Sequence, residues 1–113
     1  MENCIFCRIA RGDIPSDTVY QDDRIRVIRD IDPQAPVHML AIPNEHIGSC
    51  ADIDESNSSI VAHIFRVMAD IAKGEGFEEG FRIVSNTGEG AGQSVKHLHF
   101  HLLAGRSFQW PPG

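Results

Sequence analysis

Residues 97–103 read HLHFHLL, a histidine at every second position with an apolar residue in each gap. A β-strand sends successive side chains to opposite faces, so this run puts His97, His99 and His101 on one face and Leu98, Phe100 and Leu102 on the other. The pattern commits the C-terminal part of the chain to an extended strand whose apolar side rests on a core. It also gathers half of the six histidines onto one stripe. Imidazole can act near neutral pH as nucleophile, proton carrier or metal ligand, whereas Thr or Val would serve a strand with less desolvation, so the stripe points to a chemical site.

The rest of the chain supplies a small α+β frame around that strand. IFCRIARGDIP has apolar residues at near-helical spacing and then Gly12 and Pro15, which predicts a short N-terminal helix. DTVYQDDRIRVIRDI predicts two strands around Gln21-Asp22-Asp23, the two acids reading as solvated turn residues. DPQAP forces an extended turn, and HMLAIP resumes as a strand that opens at His38 and ends at Pro43. From Asp54 to about Lys73, Ile60, Val61, Ile64, Phe65, Met68, Ile71 and Ala72 follow a helical period. Asp54 or Ser56 would cap this long helix, Gly74 and Gly76 would stop it, and His63 falls on its wet face. FRIVSN is a further strand, and TGEGAGQSV links it to the histidine run. Strands joined by turns around one inserted helix predict a mainly antiparallel sheet in a single domain, residues 1–113.

Composition excludes several classes of partner. A formal net charge of −6 leaves no basic surface for a nucleic acid polymer, although local donors can still bind one phosphate. No stretch approaches the ~20 apolar residues of a membrane span, and the N-terminus lacks the pattern of a secretory leader. No membrane partner and a cytoplasmic location are expected. Three cysteines, two of them as Cys4-x-x-Cys7, fit reduced thiols or metal ligation better than a disulfide framework, and Cys50 reads as an idle thiol.

Gly88, Gly90 and Gly92 precede the histidines, and glycines let successive backbone N–H groups converge on an anion, with Gln93 and Ser94 as added donors. Two chemistries suit such a strand. A neutral imidazole can attack phosphorus while its neighbours hold the phosphoryl oxygens, or His-x-His can chelate a catalytic metal. Residues two apart on a strand lie roughly 6.8 Å apart, so three in a row exceed what one chelate needs.

His97-Leu98-His99-Phe100-His101-Leu102-Leu103 resembles the signature of the histidine triad (HIT) family. DIDPQAPVHMLAIPNEHI, NTGEGAGQSVKHLHFHLLAGR and the terminal WPPG are similar to its Hint branch, the nucleoside phosphoramidate hydrolases, and the likeness covers nearly the whole chain. It implies a HIT-like fold: a five-stranded sheet with one long and one short helix, two subunits joining their sheets. It also implies that His99 attacks the α-phosphorus of a purine nucleoside 5′-phosphoramidate or acyl-nucleotide, giving a nucleotidyl-histidine that water then cleaves. By the same resemblance His101 holds the phosphate and leaving group, Ser94 bonds near the scissile atom, and Asn86 with Gly92 completes the phosphate site. His97 and His38 support the set, and Asp30 meets the ribose hydroxyls. Ile5, Phe6, Ile9, Ile28 and Ile31 would form an apolar slot for the base, without close readout of its identity. Relatives that carry the cysteine pair hold a structural zinc, which here implies Cys4, Cys7, His46 and His97 as ligands. The tail at Trp110 would approach the partner subunit's active site. Arg29 and Lys96 depart from residues common in the family. Three other readings stand beside the phosphoramidase: a nucleotide-binding regulatory protein with incidental activity, a metal-dependent enzyme, and a dinucleoside polyphosphate hydrolase, whose branch typically lacks the WPPG ending.

Overall fold

The computed structural model describes residues 3–113. In chain order the elements are helix α1 (Ile5–Ala10), strands β1 (Thr18–Gln21), β2 (Ile25–Arg29) and β3 (Val37–Pro43), helix α2 (Ser58–Gly74), and strands β4 (Phe81–Val84) and β5 (Phe100–Ala104). The strands form one sheet in the order β1-β2-β3-β5-β4, and every neighbouring pair is antiparallel. The expected α+β architecture is therefore present. Among the described residues no helix is long and apolar enough to cross a membrane.

Alternation along the strands divides the sheet into two faces. Ile25, Val27, Met39, Ala41, Phe100 and Leu102 point to one side and pack with Ile60, Ile64, Val67 and Met68 of α2. Ile28, Leu40 and Ile42 point to the other and pack with Phe6 and Ile9 of α1. Because α1 has only six residues, it covers only part of that second face. His38, His99 and His101 take the same side as Leu40 through the pleat, so the uncovered part carries these three histidines.

The long helix begins four residues later than its apolar period predicts. Asp54 does not cap it: its carboxylate accepts from Ser56 N–H and Oγ (2.9 and 2.6 Å), closing a turn ahead of the helix. Asn57 takes the cap position, but its Oδ1 accepts from Asp54 N–H (2.8 Å) instead of from the helix. At the other end Gly76, with φ +85°, lets Phe77 N–H reach Ala72 O (2.8 Å) and Gly76 N–H reach Lys73 O (3.1 Å), a Schellman closure. Phe65 turns out 42% exposed, edge-on to Phe100, at the border of the apolar stripe.

Asp22 is likewise no solvated turn residue. Its carboxylate accepts from Arg24 and Ile25 N–H (2.8 and 2.9 Å) and from the Tyr20 hydroxyl (2.7 Å). His63, expected on a wet face, reaches the same group with Nε2 at 2.6 Å from Oδ2. Burial pushes the Asp22 pKa up, but the hydrogen bonds from His63, Tyr20 and the two backbone groups outweigh it and hold the carboxyl well below its usual range. The hairpin is thereby tied to α2.

Regular pairing of the histidine run starts only at Phe100. Residues 97–99 keep the alternation, with Leu98 buried on the α2 side, but exchange ladder bonds for individual ones. Leu98 N–H donates to Ile47 O, and Ser85 Oγ donates to His99 O (2.9 Å).

Candidate active site and metal centre

The histidine stripe serves two different clusters. At its start, His97 Nδ1 lies 3.2 Å from Cys4 Sγ, 3.4 Å from Cys7 Sγ and 3.2 Å from His46 Nδ1. Cys7 Sγ is also 3.2 Å from His46 Nδ1. The four donor atoms all lie within 4.8 Å of one another. Zinc–sulfur and zinc–nitrogen bonds of about 2.3 and 2.0 Å set tetrahedral edges of roughly 3.3–3.8 Å, close to these separations. The far side of His97 explains why its lone pair faces inward: Nε2 donates to Pro43 O at 2.8 Å, which leaves Nδ1 bare. Burial, together with the nearby His46 and His99 rings, pushes the His97 pKa down to about 4 despite the bond to Pro43. A neutral ring with a converging lone pair is what a metal ligand requires. The residues present fit a tetrahedral thiolate–imidazole centre.

The second cluster lies farther along the sheet, where His38 on β3 and His101 on β5 place Nε2 and Nδ1 at 2.8 Å. The backbone N–H of Gln34 donates to His38 Nδ1 at 3.0 Å. An amide N–H can only donate, so in the neutral ring of His38 the proton sits on Nε2 and is given to His101 Nδ1. The proton of His101 is then on Nε2. Burial keeps both rings neutral, lowering the His38 pKa against the pull of Asp30 and Asp32, and lowering His101 to about 4 with help from His99 and His38. Asp30 Oδ2 stands 3.4 Å from His38 Nε2, and its Oδ1 accepts from Asp32 N–H (2.8 Å). Asp30, His38 and His101 are close enough for a cation. The Nε2 proton of His38, however, denies that cation a lone pair, so this cluster is a hydrogen-bonded relay.

His99 sits between the two. Its Nδ1 donates to the backbone carbonyl of His97 at 2.7 Å, so Nε2 carries the free lone pair. The ring is buried, with Phe6 edge-on at 5.0 Å and His101 at 5.1 Å between centroids. A nitrogen with a free lone pair thus belongs to a ring that neighbours one with a proton on Nε2.

The remaining sequence candidates divide. Phe6, Ile9 and Ile28 come together but are buried against Leu40 and Ile42, whereas Ile5 is half-exposed and Ile31 fully exposed. Ser94 lies on the wall of a groove of about 590 Å³ with Asn3, Cys4, Ile5, His46, Val95 and Lys96, beside the thiol cluster. Asn86 is half-buried just past β4. The glycine loop differs from expectation. Ala91 and Gln93 N–H donate to Gly88 O (3.1 and 3.0 Å) and Gly92 N–H to Glu89 O (3.0 Å), so these amides close a turn instead of converging on an anion. Gln93 also differs, because its amide donates to Gly48 O (2.8 Å) and Val95 O (3.0 Å) and accepts from Gly88 N–H (2.9 Å). It is a clasp between the loop and the His46 segment. Cys50 donates to Ser85 Oγ (3.3 Å). Sequence reasoning missed Gln34, Pro43 and Ser85, whose parts here are played by main-chain groups or by one hydroxyl.

The family model described as scavenger mRNA decapping enzyme C-term binding matches residues 3–109. An uncharacterised HIT-like protein of Synechococcus elongatus is 46% identical over 112 residues, 99% of this chain and 98% of that one. A 14 kDa zinc-binding protein of Zea mays is 44% identical, over 96% of this chain and 87% of that protein. The crystal structure of a HIT family hydrolase from Legionella pneumophila superposes with a TM-score of 0.96 at 46% identity, covering 98% of this chain and 100% of that one. Sequence and backbone agree from end to end, and the chain belongs to the histidine triad family.

Proposed function

We propose that this protein is a nucleoside phosphoramidase of the Hint branch, hydrolysing purine nucleoside 5′-phosphoramidates and acyl-nucleotides. The observation that carries the reading is the 2.7 Å bond from His99 Nδ1 to His97 O, which leaves the lone pair of the ring on Nε2. In the first step His99 Nε2 bonds to the α-phosphorus and the P–N bond breaks, the departing nitrogen taking the Nε2 proton of His101. In the second step water bonds to phosphorus, the P–Nε2 bond breaks, and the water's proton returns to His101, releasing the nucleoside monophosphate. Ser94 would bond near the scissile atom, Asn86 would hold the phosphate and Asp30 the ribose hydroxyls. Membership of a family with hydrolase relatives supports this chemistry.

Cys4, Cys7, His46 and His97 would hold zinc, and the zinc-binding relative supports that choice. When bound it would supply charge compensation for two thiolates and a fixed joint between α1 and the histidine run. Four protein ligands leave no open position for substrate, so its part is structural. In the same reading the protein is a cytoplasmic homodimer, and Trp110, 82% exposed in the single chain, reaches toward the partner's site.

Hydrolysis of adenosine 5′-phosphoramidate by wild type and by His99→Asn, with and without a chelator, tests the proposal. A fall of about 10³-fold or more in the variant, with an adenylylated histidine trapped in acid-quenched wild type and turnover that survives the chelator, is expected. Turnover indifferent to His99 overturns the mechanism. Loss of activity to the chelator without unfolding makes the metal catalytic.

A further inference from the structure

The proton on His101 Nε2 is there because of a main-chain group two hydrogen bonds away along the relay, the N–H of Gln34. Gln34 lies in the proline-rich turn between β2 and β3, where its position is held on both sides. Within the turn, its side-chain amide donates to Asp32 O at 3.0 Å. Across the chain, Arg106 Nε donates to Gln34 O at 3.1 Å. Arg106 lies two residues past the end of β5, so this bond joins the end of the strand bearing His101 to the turn that orients His38.

The guanidinium of Arg106 is itself braced. Its Nη1 donates to Ser107 O at 3.0 Å, and its carbon lies 4.4 Å from the centre of the Phe108 ring. Arg82 stacks on the same ring at 5.0 Å and donates to Gln109 O at 2.9 Å, so Phe108 contacts two guanidinium planes. Gly105 brings the chain to this position. With φ +92°, its backbone passes so close to Pro36 that an added Cβ would stand 2.9 Å from the proline Cβ. The segment after β5 thus lies against the turn at two successive residues.

We infer that Arg106, braced by Phe108, is a positioning residue that fixes the Gln34 main chain through its carbonyl, and so its N–H, so that His38 and then His101 keep their protons on Nε2. The inference rests on the reading of His101 as the proton donor, but it concerns the position of a proton and can be measured without substrate. When the Gln34 amide loosens its hold on His38 Nδ1, the His38 ring can carry its proton on either nitrogen. His101 then loses a fixed donor at Nδ1, and a fraction of molecules holds its proton on the nitrogen that faces His38 instead of the substrate.

Ring 15N chemical shifts and long-range 1H–15N couplings report the tautomer of each histidine in the intact protein. Wild type is expected to show His38 and His101 as Nε2–H forms. Arg106→Ala should show a measurable Nδ1–H fraction at His101 and a kcat lowered about fivefold with KM little changed, the size of effect a single hydrogen bond carries. Arg106→Lys, which keeps a donor, should restore most of the Nε2–H form. Phe108→Ala, which leaves the relay and Arg106 in sequence but removes the brace, should fall between. Unchanged tautomers in both Arg106→Ala and Phe108→Ala overturn the inference, whatever the activity. A shifted tautomer with unchanged turnover leaves the positioning role standing and overturns His101 as the acid.

Discussion

His97 and His38 are both buried, both lie within hydrogen-bonding distance of another histidine, and both keep a neutral ring, yet they present opposite poles to their neighbours. His97 meets the carbonyl of Pro43 on one nitrogen and therefore offers a lone pair on the other. His38 meets the N–H of Gln34 and therefore offers a proton. The ring-to-ring separations, 3.2 Å for His97 with His46 and 2.8 Å for His38 with His101, differ too little to tell a ligand set from a relay. The main-chain partner on the far side of the ring makes the distinction, and the two clusters acquire separate chemistries from one residue type.

Breaking the metal cluster should produce the largest effect. Cys7→Ala removes a buried ligand and is expected to abolish stoichiometric zinc and lower Tm by about 10 °C or more, read by metal analysis and thermal unfolding. Retained zinc with an unchanged Tm would mean that the thiol–imidazole group is only a packing arrangement. A change to the relay should behave differently. His38→Ala is expected to keep one zinc per chain while kcat falls about tenfold or more, because His101 loses its donor at Nδ1. If zinc is lost together with activity, the two clusters are not separable. The smallest effect is in acid stability. His101 has a folded pKa of about 4, below the 6.5 of an ordinary imidazole, so the unfolded chain takes up a proton first as pH falls. Its stabilising contribution is full above about pH 6.5 and is lost as pH drops toward 4. Unfolding free energies from denaturant titrations at pH 7 and pH 4.5 should therefore differ less in His101→Gln than in wild type, by on the order of 2 kcal/mol. An equal loss in both proteins would place the sensitivity elsewhere.

Much of the frame is legible in the sequence because side-chain identity dictates it. The period-two histidine run, paired as a strand from Phe100, the helical stripe from Ile60 to Ala72 and the turn at Asp22 each encode their own conformation, and the sheet follows. The histidines and the cysteine pair are legible as chemical groups for the same reason. What the sequence conceals is supplied by groups that every residue carries. The carbonyl of Pro43 and the N–H of Gln34 set two tautomers, and no residue type advertises them. Polar side chains with several options are the other source of error. Gln93 is a donor in composition, but its amide is engaged by Gly48 and Val95, and Asp54 is a good cap that closes a preceding turn instead. His63 matches the wet side of α2 by period, and only the folded hairpin brings Asp22 to it.

His97 ends one cluster with its ring and holds the ring of His99 with its carbonyl. The first duty depends on which amino acid is present; the second depends only on there being a peptide group two residues before His99. Exchange of the side chain and change of chain length are therefore unequal insults at this point. A cysteine in place of His97 could still close a metal site and would leave the carbonyl under His99 untouched. A single residue inserted between 97 and 99, even a glycine, would shift the period by one and turn the His97 and His99 rings to opposite faces, so the run could no longer serve both clusters although every ligand and every histidine remained in the sequence.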